Sequence, residues 1–495
     1  MISKANRPSL PLKIVIDTNV FIAAENIGAA PDEHSHFAAE FMRLAGQLRV
    51  EVVISQGTRA DILSAPEQLR SQRQRQLQRY TVLEQMTLDL TLAARSGFPP
   101  NLSKNDRADL EVLQALAVDA ADWLVTQDSN LRKRASRAGY QNRVFSLQDV
   151  IETFGFYLNQ PSVIPGIQTV KGYQIRIGSS IFDDLKEDYD DFEQWWRSKV
   201  AREHRDVLTI GIPDDPQAVA VLKPETHEPY GLPDATLKIC TFKVAAPYSG
   251  SRRGELLLKA TIDYARRNQY TTVYLEVLPD KQRLIDWLEG FGFERISDET
   301  TRRGEYVYVK ATSPRLQLVL SPLDHNIAYG PGSLRLQDPH FVPVKPIFHG
   351  RLFPEAEPQR SLFPGQDACG NAIGKAYLSH SPNRRLKPGD TLLFVRTGGQ
   401  SVVTVVGVVE STLVSAQADA VISFVGNRTV YSVEEIERMC HKRLVLAIRF
   451  RLDRVNSPPW TLAAMRDAGA LLKHPQSIQR VREEGVEWIR ERLGE

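Results

Sequence analysis

Over the first 160 residues, short apolar runs alternate with segments of helical period, and that alternation dictates a parallel sheet. Residues 13–22 (KIVIDTNVFI) read as a buried strand ending in an acidic turn. Further strand-like runs lie at 50–55 (VEVVIS), 122–126 (DWLVT) and 143–145, and helical patterns occupy 35–49, 58–95 with breaks, 106–120 and 146–158. Strands joined through helices run parallel, because the crossover returns each strand in the same direction. In such sheets, sites gather beyond the carboxyl ends of the strands. Asp17 and Asp128 both stand just past an apolar run, on that edge.

Four carboxylates come from separate segments: Asp17 in VIDTN, Asp61 in SQGTRADIL, Asp109 in NDRADLEVLQALA and Asp128 in LVTQD. Hydrolysis of a phosphodiester needs the phosphate neutralised, a hydroxide generated and a leaving oxygen stabilised, and one or two divalent cations held by carboxylates supply all three. Magnesium prefers oxygen ligands and keeps several waters, so a few aspartates suffice. Without a cation the same charges repel. Asp17 is the first choice for a ligand, with Asn19 placed to orient the carboxylates. Asp106 and Asp109, three apart, share a helix face, and Asp128 with Thr126 before it would add a ligand or hold a metal-bound water.

In order and in kind these segments resemble the PIN domain, which has an aspartate after its first strand, an acidic residue mid-domain, an aspartate opening a helix and a strand ending Leu-Val-Thr-x-Asp. The resemblance implies a ribonuclease dependent on Mg2+ or Mn2+ over residues 1–160, with Asp17, Asp109 and Asp128 as metal ligands. Asp61 stands where that family more often has glutamate, and Asp106 is an alternative contributor. The basic stretch after Asp128 places Arg132, Lys133 and Arg134 near the cluster, where positive charge would attract an RNA backbone. A solvated helix face accounts for the same three residues.

Residues 169–311 resemble a GNAT acetyltransferase. The resemblance rests on a strand (TLKICTFKVA), the loop APYSGSRRG, a helix (ELLLKATIDYARRN), a second strand (TVYLEVL) and a second helix (RLIDWLEGFGFE). It implies that Ser249, Gly250, Ser251, Arg252, Arg253 and Gly254 form the loop that binds the coenzyme A pyrophosphate at a helix start, where unpaired N–H groups favour anions. Acetyl-CoA is therefore a candidate second cofactor. The chain departs from the family at Leu288, where a general-acid tyrosine often stands, and Arg252 replaces a more usual glycine. Glu276 is a candidate base, and Tyr306 or Tyr308 a candidate acid.

Residues 341–455 carry strand runs around the turn Lys387-Pro388-Gly389-Asp390, a layout that suggests a small closed barrel. They resemble the PUA-like group, in particular ASCH and EVE domains. That resemblance implies RNA or modified-base binding, with Lys375, Tyr377, His380, Arg384 and Arg385 lining a base-stacking cleft. Proline-rich joints at 159–168 and 313–346 read as linkers or long loops, since proline cannot continue a helix or a central strand. The second becomes a linker over 312–340, and 456–495 a C-terminal helical segment.

The fold class is thus a multidomain α/β chain of 495 residues with a PIN-like parallel sheet, a GNAT-like α/β domain and a PUA-like β-barrel. No apolar run reaches the ~20 residues that span a bilayer, and no leader sequence is evident, so a cytoplasmic protein with no membrane partner is expected. Three scattered cysteines form neither a disulfide framework nor a zinc spacing. The function expected is a metal-dependent endoribonuclease with a coenzyme A-binding or acetyltransferase-like module and an RNA-binding barrel. It would be RNA-processing or toxin-like, with RNA and a protein such as an antitoxin as partners. The alternatives are an N-acetyltransferase acting on an RNA- or ribosome-associated substrate, and a non-catalytic RNA-binding regulator.

Overall fold

A computed structural model of the chain describes residues 12–25, 34–64, 66–158, 166–227, 229–233, 235–248, 252–313, 320–356, 372–398 and 401–494. The chain divides into two compact units, residues 1–160 and 161–495.

The first unit runs β1 (Lys13–Ile16), α1 (Thr18–Glu25), α2 (Ser35–Leu48), β2 (Glu51–Ile54), α3 (Gln56–Leu63), α4 (Glu67–Leu77), β3 (Thr81–Val82), α5 (Leu90–Ser96), α6 (Lys104–Ala117), β4 (Trp123–Val125), α7 (Ser129–Arg137), β5 (Val144–Phe145) and α8 (Leu147–Tyr157). The strands form one sheet in the order β3-β2-β1-β4-β5, parallel throughout. The run at 13–22 is not one strand. Asp17 stops β1 and caps α1, accepting from the Val20 N–H at 2.9 Å through its carboxylate and from the Phe21 N–H through its carbonyl. Val20, Phe21 and Ala23 then bury their side chains from a helix instead of a strand, so the apolar pattern alone did not distinguish the two. The stretch read as broken helix at 58–95 also holds the two-residue edge strand β3, too short to show a period of two.

The second unit begins with β6 (Ile167–Lys171), α9 (Asp183–Asp188), α10 (Phe192–Trp195), β7 (Asp206–Ile212), β8 (Asp215–Pro224), β9 (Thr236–Val244), α11 (Arg253–Arg267), β10 (Thr272–Val277), α12 (Gln282–Gly290), β11 (Glu294–Arg295) and β12 (Tyr306–Ala311). Its seven strands are ordered β11-β12-β10-β9-β8-β7-β6. One neighbouring pair is parallel: β9 and β10 are in register only from Thr236–Thr272 to Lys238–Tyr274, and beyond that they part. In β9 the register against β8 shifts at Cys240, a bulge that bends the strand where it leaves its partner.

The chain continues through α13 (Pro322–Tyr329), β13 (His340–Val344), α14 (Pro346–Leu352), β14 (Gly374–Ser379), β15 (Thr391–Arg396), β16 (Val402–Ser415), α15 (Ala418–Val425), α16 (Val433–Cys440), β17 (Val445–Thr461), α17 (Leu462–Asp467), β18 (Gln479–Arg480) and α18 (Val486–Leu493). The six strands are ordered β14-β17-β16-β15-β13-β18. Among the described residues no ladder joins the two ends, so the sheet is curled rather than closed. The curl brings β14 to β13, and the Tyr377 hydroxyl donates to the Pro343 carbonyl at 2.9 Å.

Three features of this region differ from the sequence expectation. The segment 312–340 contains α13, started by proline in its first turn and by the Ser321 hydroxyl, which accepts from the Asp324 N–H. Pro343 lies inside β13, which is possible because β18 pairs only with His340 and Phe341, so that among the described residues no strand needs an N–H from the proline. The tail from 456 is likewise not purely helical: β17 extends to Thr461 and β18 adds an edge strand.

Candidate functional site

In the first unit, two of the predicted acidic residues, Asp17 and Asp128, lie past the carboxyl ends of the adjacent strands β1 and β4. Asp17 is 6% exposed. Its carboxylate accepts from the Thr126 hydroxyl and the Val20 N–H, and the Thr126 oxygen in turn accepts from the Asp128 N–H at 2.9 Å. Burial pushes Asp17 up to about 6, against the pull of those hydrogen bonds, and the charge on Asp128 adds to the rise. Asp128 caps α7, accepting from the N–H groups of Asn130 at 2.7 Å and Leu131 at 3.2 Å.

Asp109 projects from α6 and is also pushed up to about 6, first by burial and then by the charge on Asp128, with Asp17 and Asp106 adding to it and Arg134 opposing. The charges of Asp17, Asp109 and Asp128, from three segments, therefore act on one another. Asp106 has another task. It forms a capping box with Ser103, whose hydroxyl donates to it at 2.6 Å and accepts from its N–H at 3.1 Å. The Ser103 hydroxyl holds its carboxyl below the ordinary range, with Arg134 helping.

Asp61 faces elsewhere, 3.7 Å from the Lys104 ammonium at the start of α6. Asn19 sits in the first turn of α1 with an exposed side chain, and its backbone, not its amide group, acts on Asp17. Of the basic residues on α7, Arg132 donates to the Thr126 carbonyl at 3.1 Å and Lys133 is exposed. Arg134 reaches back into the acidic cluster: one nitrogen donates to Asp109 at 3.1 Å, the other to Asp106 at 3.0 Å, and its guanidinium lies 4.0 Å from the Phe98 ring centroid. That pairing was absent from the sequence reading. The donor set, all carboxylate oxygen, suits a hard divalent cation. As placed, no group of three or more His, Cys, Asp or Glu side chains among the described residues is arranged to hold one ion.

In the second unit, the gap where β9 and β10 part opens a cleft of about 530 Å³. Its lining includes Lys238, Cys240, Glu276, Lys281, Tyr189 and Glu305. Glu276 accepts from the Tyr230 hydroxyl at 2.7 Å and the Lys238 ammonium at 2.6 Å, so it is engaged by two donors. Tyr189, which the sequence reading passed over, donates to Glu305 at 2.6 Å, and burial together with that carboxylate raises its pKa. Tyr308 is buried in the core, and Tyr306 stacks under Arg295 at 4.6 Å; neither is among the residues lining the cleft. Leu288 is a core residue.

Ser249, Gly250 and Ser251 lie outside the described residues. Arg252 adopts the left-handed conformation at the start of α11 (φ 61°), a backbone state that favours glycine. Its side chain pairs with Glu255 at 2.9 Å. Arg253 is buried, donating to Gln217 at 2.8 Å and stacking on Tyr248. A Cβ at Gly254 would meet Trp287 and Val244 at 3.6 Å, an ordinary contact.

The five predicted barrel residues separate. Lys375 and Tyr377 are buried; the Lys375 ammonium donates to the Leu352 carbonyl at 2.7 Å and lies 4.0 Å from Glu355. His380, Arg384 and Arg385 are exposed beyond β14, with Arg384 folded back on the carbonyls of Ser381 and Asn383.

Comparison with known proteins gives each part a relationship. The PIN domain family model matches residues 13–130, and the acetyltransferase (GNAT) family model matches residues 171–293. No curated protein matches the chain. Among solved structures, a ZmASCH mutant protein from Zymomonas mobilis is 11% identical, with 31% of this chain and 94% of that one covered and a TM-score of 0.25. An N-acetyltransferase from Staphylococcus aureus is 15% identical, with coverages of 30% and 97% and a TM-score of 0.24. Ard1 from Thermoplasma volcanium gives 15%, 30%, 98% and 0.24. The chain thus has a PIN-domain region and a GNAT-fold region, and a weak similarity to ASCH proteins. Among the described residues no helix is long and apolar enough to cross a membrane.

Proposed function

We propose that the chain is a metal-dependent endoribonuclease of the PIN type, acting at the centre formed by Asp17, Asp109 and Asp128. What supports this reading is that Asp17 and Asp128 follow adjacent strands of a parallel sheet, and that the charge on Asp128 raises both Asp17 and Asp109, each pushed up to about 6. Gathering carboxylates in partial burial is unfavourable unless a cation offsets them. Bound there, Mg2+ or Mn2+ would neutralise the scissile phosphate and lower the pKa of a water. Asp17, Asp109 and Asp128 would hold the ion, Thr126 would keep Asp17 in position, and Lys133 on the exposed face of α7 would attract the RNA backbone. The chain in this reading is RNA-processing or toxin-like, with a protein such as an antitoxin among its partners, and the curled sheet around β14 contributes to RNA binding. A metal-titrated cleavage assay on mixed cellular RNA tests it: the wild type cleaves in the presence of Mg2+ or Mn2+, and Asp17→Asn and Asp109→Asn do not. Equal behaviour of all three chains would dispose of the proposal.

A second reading is favoured by the cleft between the parting strands β9 and β10. There the middle region binds acetyl-CoA, and Tyr189 or Glu276 handles the proton of an amine acceptor on an RNA- or ribosome-associated substrate. Saturation by acetyl-CoA shifting the thermal midpoint, with turnover on an amine, is the expected result. RNA binding with neither activity would instead favour a regulator.

A further inference from the structure

We infer that Arg134 is the internal counter-cation of the acidic centre, and that a divalent cation must compete with it for Asp109. This rests on the metal-dependent reading above. Arg134 spans two carboxylates one helical turn apart on α6, Asp106 at 3.0 Å and Asp109 at 3.1 Å, and a planar guanidinium suits such a two-pronged contact. Its position is set from three sides. Phe98 supports the guanidinium face at 4.0 Å. Asp106 is locked by its capping box with Ser103, and α7, which carries Arg134, is itself capped by Asp128. The same helix therefore supplies one predicted ligand at its start and the competing cation a turn and a half later.

The competition is confined to one carboxylate. Asp17 accepts from Thr126 and Val20, with no part in the arginine contact. Asp106 has its own partner in Ser103 and can retain the guanidinium when Asp109 turns to an ion. Loading the centre then requires one nitrogen of Arg134 to give up Asp109 while the other stays on Asp106. The arginine stabilises the ion-free centre and weakens its hold on the ion.

The probe is Mn2+ alone, titrated into the full chain with the free ion followed by its electron paramagnetic resonance signal. Arg134→Gln is expected to bind Mn2+ about tenfold more tightly than the wild type, matching the roughly one-unit pull that a neighbouring cation exerts on a carboxylate. Arg134→Lys, which keeps the charge without the fork, is expected to fall between them and also serves if the glutamine variant does not fold. Affinity in both variants equal to or below that of the wild type, with Asp17→Asn having lost its own binding, overturns the competition and leaves the metal reading standing. A wild type that binds no Mn2+, or an Asp17→Asn that binds as the wild type does, overturns both.

Discussion

The hydroxyl of Thr126 donates to Asp17 and accepts from the Asp128 N–H, so a neutral side chain sets the positions of two carboxylates at neighbouring strand ends. Thr126→Val would leave the buried Asp17 oxygen without its donor, at a cost of about 1–3 kcal/mol, and would loosen metal binding by about 10- to 100-fold. Thr126→Ser should restore most of both, as read by urea unfolding and Mn2+ titration. Asp17 itself gives a pH prediction. Its pKa rises from 3.8 to about 6 on folding, so the folded state holds the proton more tightly than the unfolded one. The stability this contributes is complete below about pH 4 and is lost as pH rises through 6, a swing of about 3 kcal/mol at most. Asn at position 17 carries no charge to bury. With metal chelated, Asp17→Asn is therefore expected to melt higher than the wild type at pH 7.5, with the gain shrinking toward pH 5. An identical melting difference at every pH would contradict this account. The positions of Asp17 and Asp128 past their strands could be read from the sequence, because each stands just beyond an apolar run. Arg134 was placed near the cluster from the sequence, but its pairing was not, because its partners lie 25 and 28 residues earlier on another helix, and helix-to-helix contacts leave no trace in local spacing.

At the scale of elements, the centre depends on how closely α3 can approach α6. Gly57 makes this possible: a Cβ there would stand 2.8 Å from the Ala108 Cα and 2.9 Å from the Glu111 carboxylate, which accepts from the Gly57 N–H. Gly57→Ala is expected to destabilise the first unit by about 1–3 kcal/mol and to weaken Mn2+ binding, because Ala108 directly precedes Asp109. Unchanged unfolding and unchanged Mn2+ affinity would show that the helices have slack. The parallel order of the sheet followed from the alternation of strands and helices, and the structure agrees with it. The boundary between β1 and α1 did not follow, because VIDTNVFI buries apolar side chains equally well as strand or helix and the decision lies in the cap made by Asp17. Asp61 shows the same limit: a carboxylate at the expected place in the order faces Lys104, since its direction depends on the rotation of α3 and not on its position in the chain.

At the scale of the molecule, proline-rich punctuation suggested a middle domain and a barrel joined by a linker, yet residues 161–495 form one compact unit. Buried polar contacts account for this. The Lys310 ammonium donates to the carbonyls of Phe291, Ile327 and Ala328 at 2.6–2.8 Å, fastening α13 to the end of α12. Gly292, with φ 77°, leaves no room for a Cβ, which would collide with the Ile327 carbonyl. On the other side, one oxygen of Asp453 accepts from the Asn326 amide and from the N–H groups of Gly332 and Ser333 at 2.9–3.0 Å. Glu255 of α11 accepts from the Gly374 N–H at 2.6 Å, and Lys259 pairs with Glu355 at 2.9 Å. The segment after 312 is thus held by both sheets, and composition hid this because each bond joins positions far apart in the chain. Asp453→Ala would leave the Asn326, Gly332, Ser333 and Arg454 donors without this carboxylate, a loss of about 3–5 kcal/mol by analogy with breaking a buried charged contact. If the two sheets form one cooperative body, hydrogen exchange in this variant should quicken together in β16, β17 and α11, because opening the Asp453 junction frees the α13 segment that links them. Quickening confined to β16 and β17, with α11 protected as in the wild type, would mean that the middle region holds its fold independently of that junction.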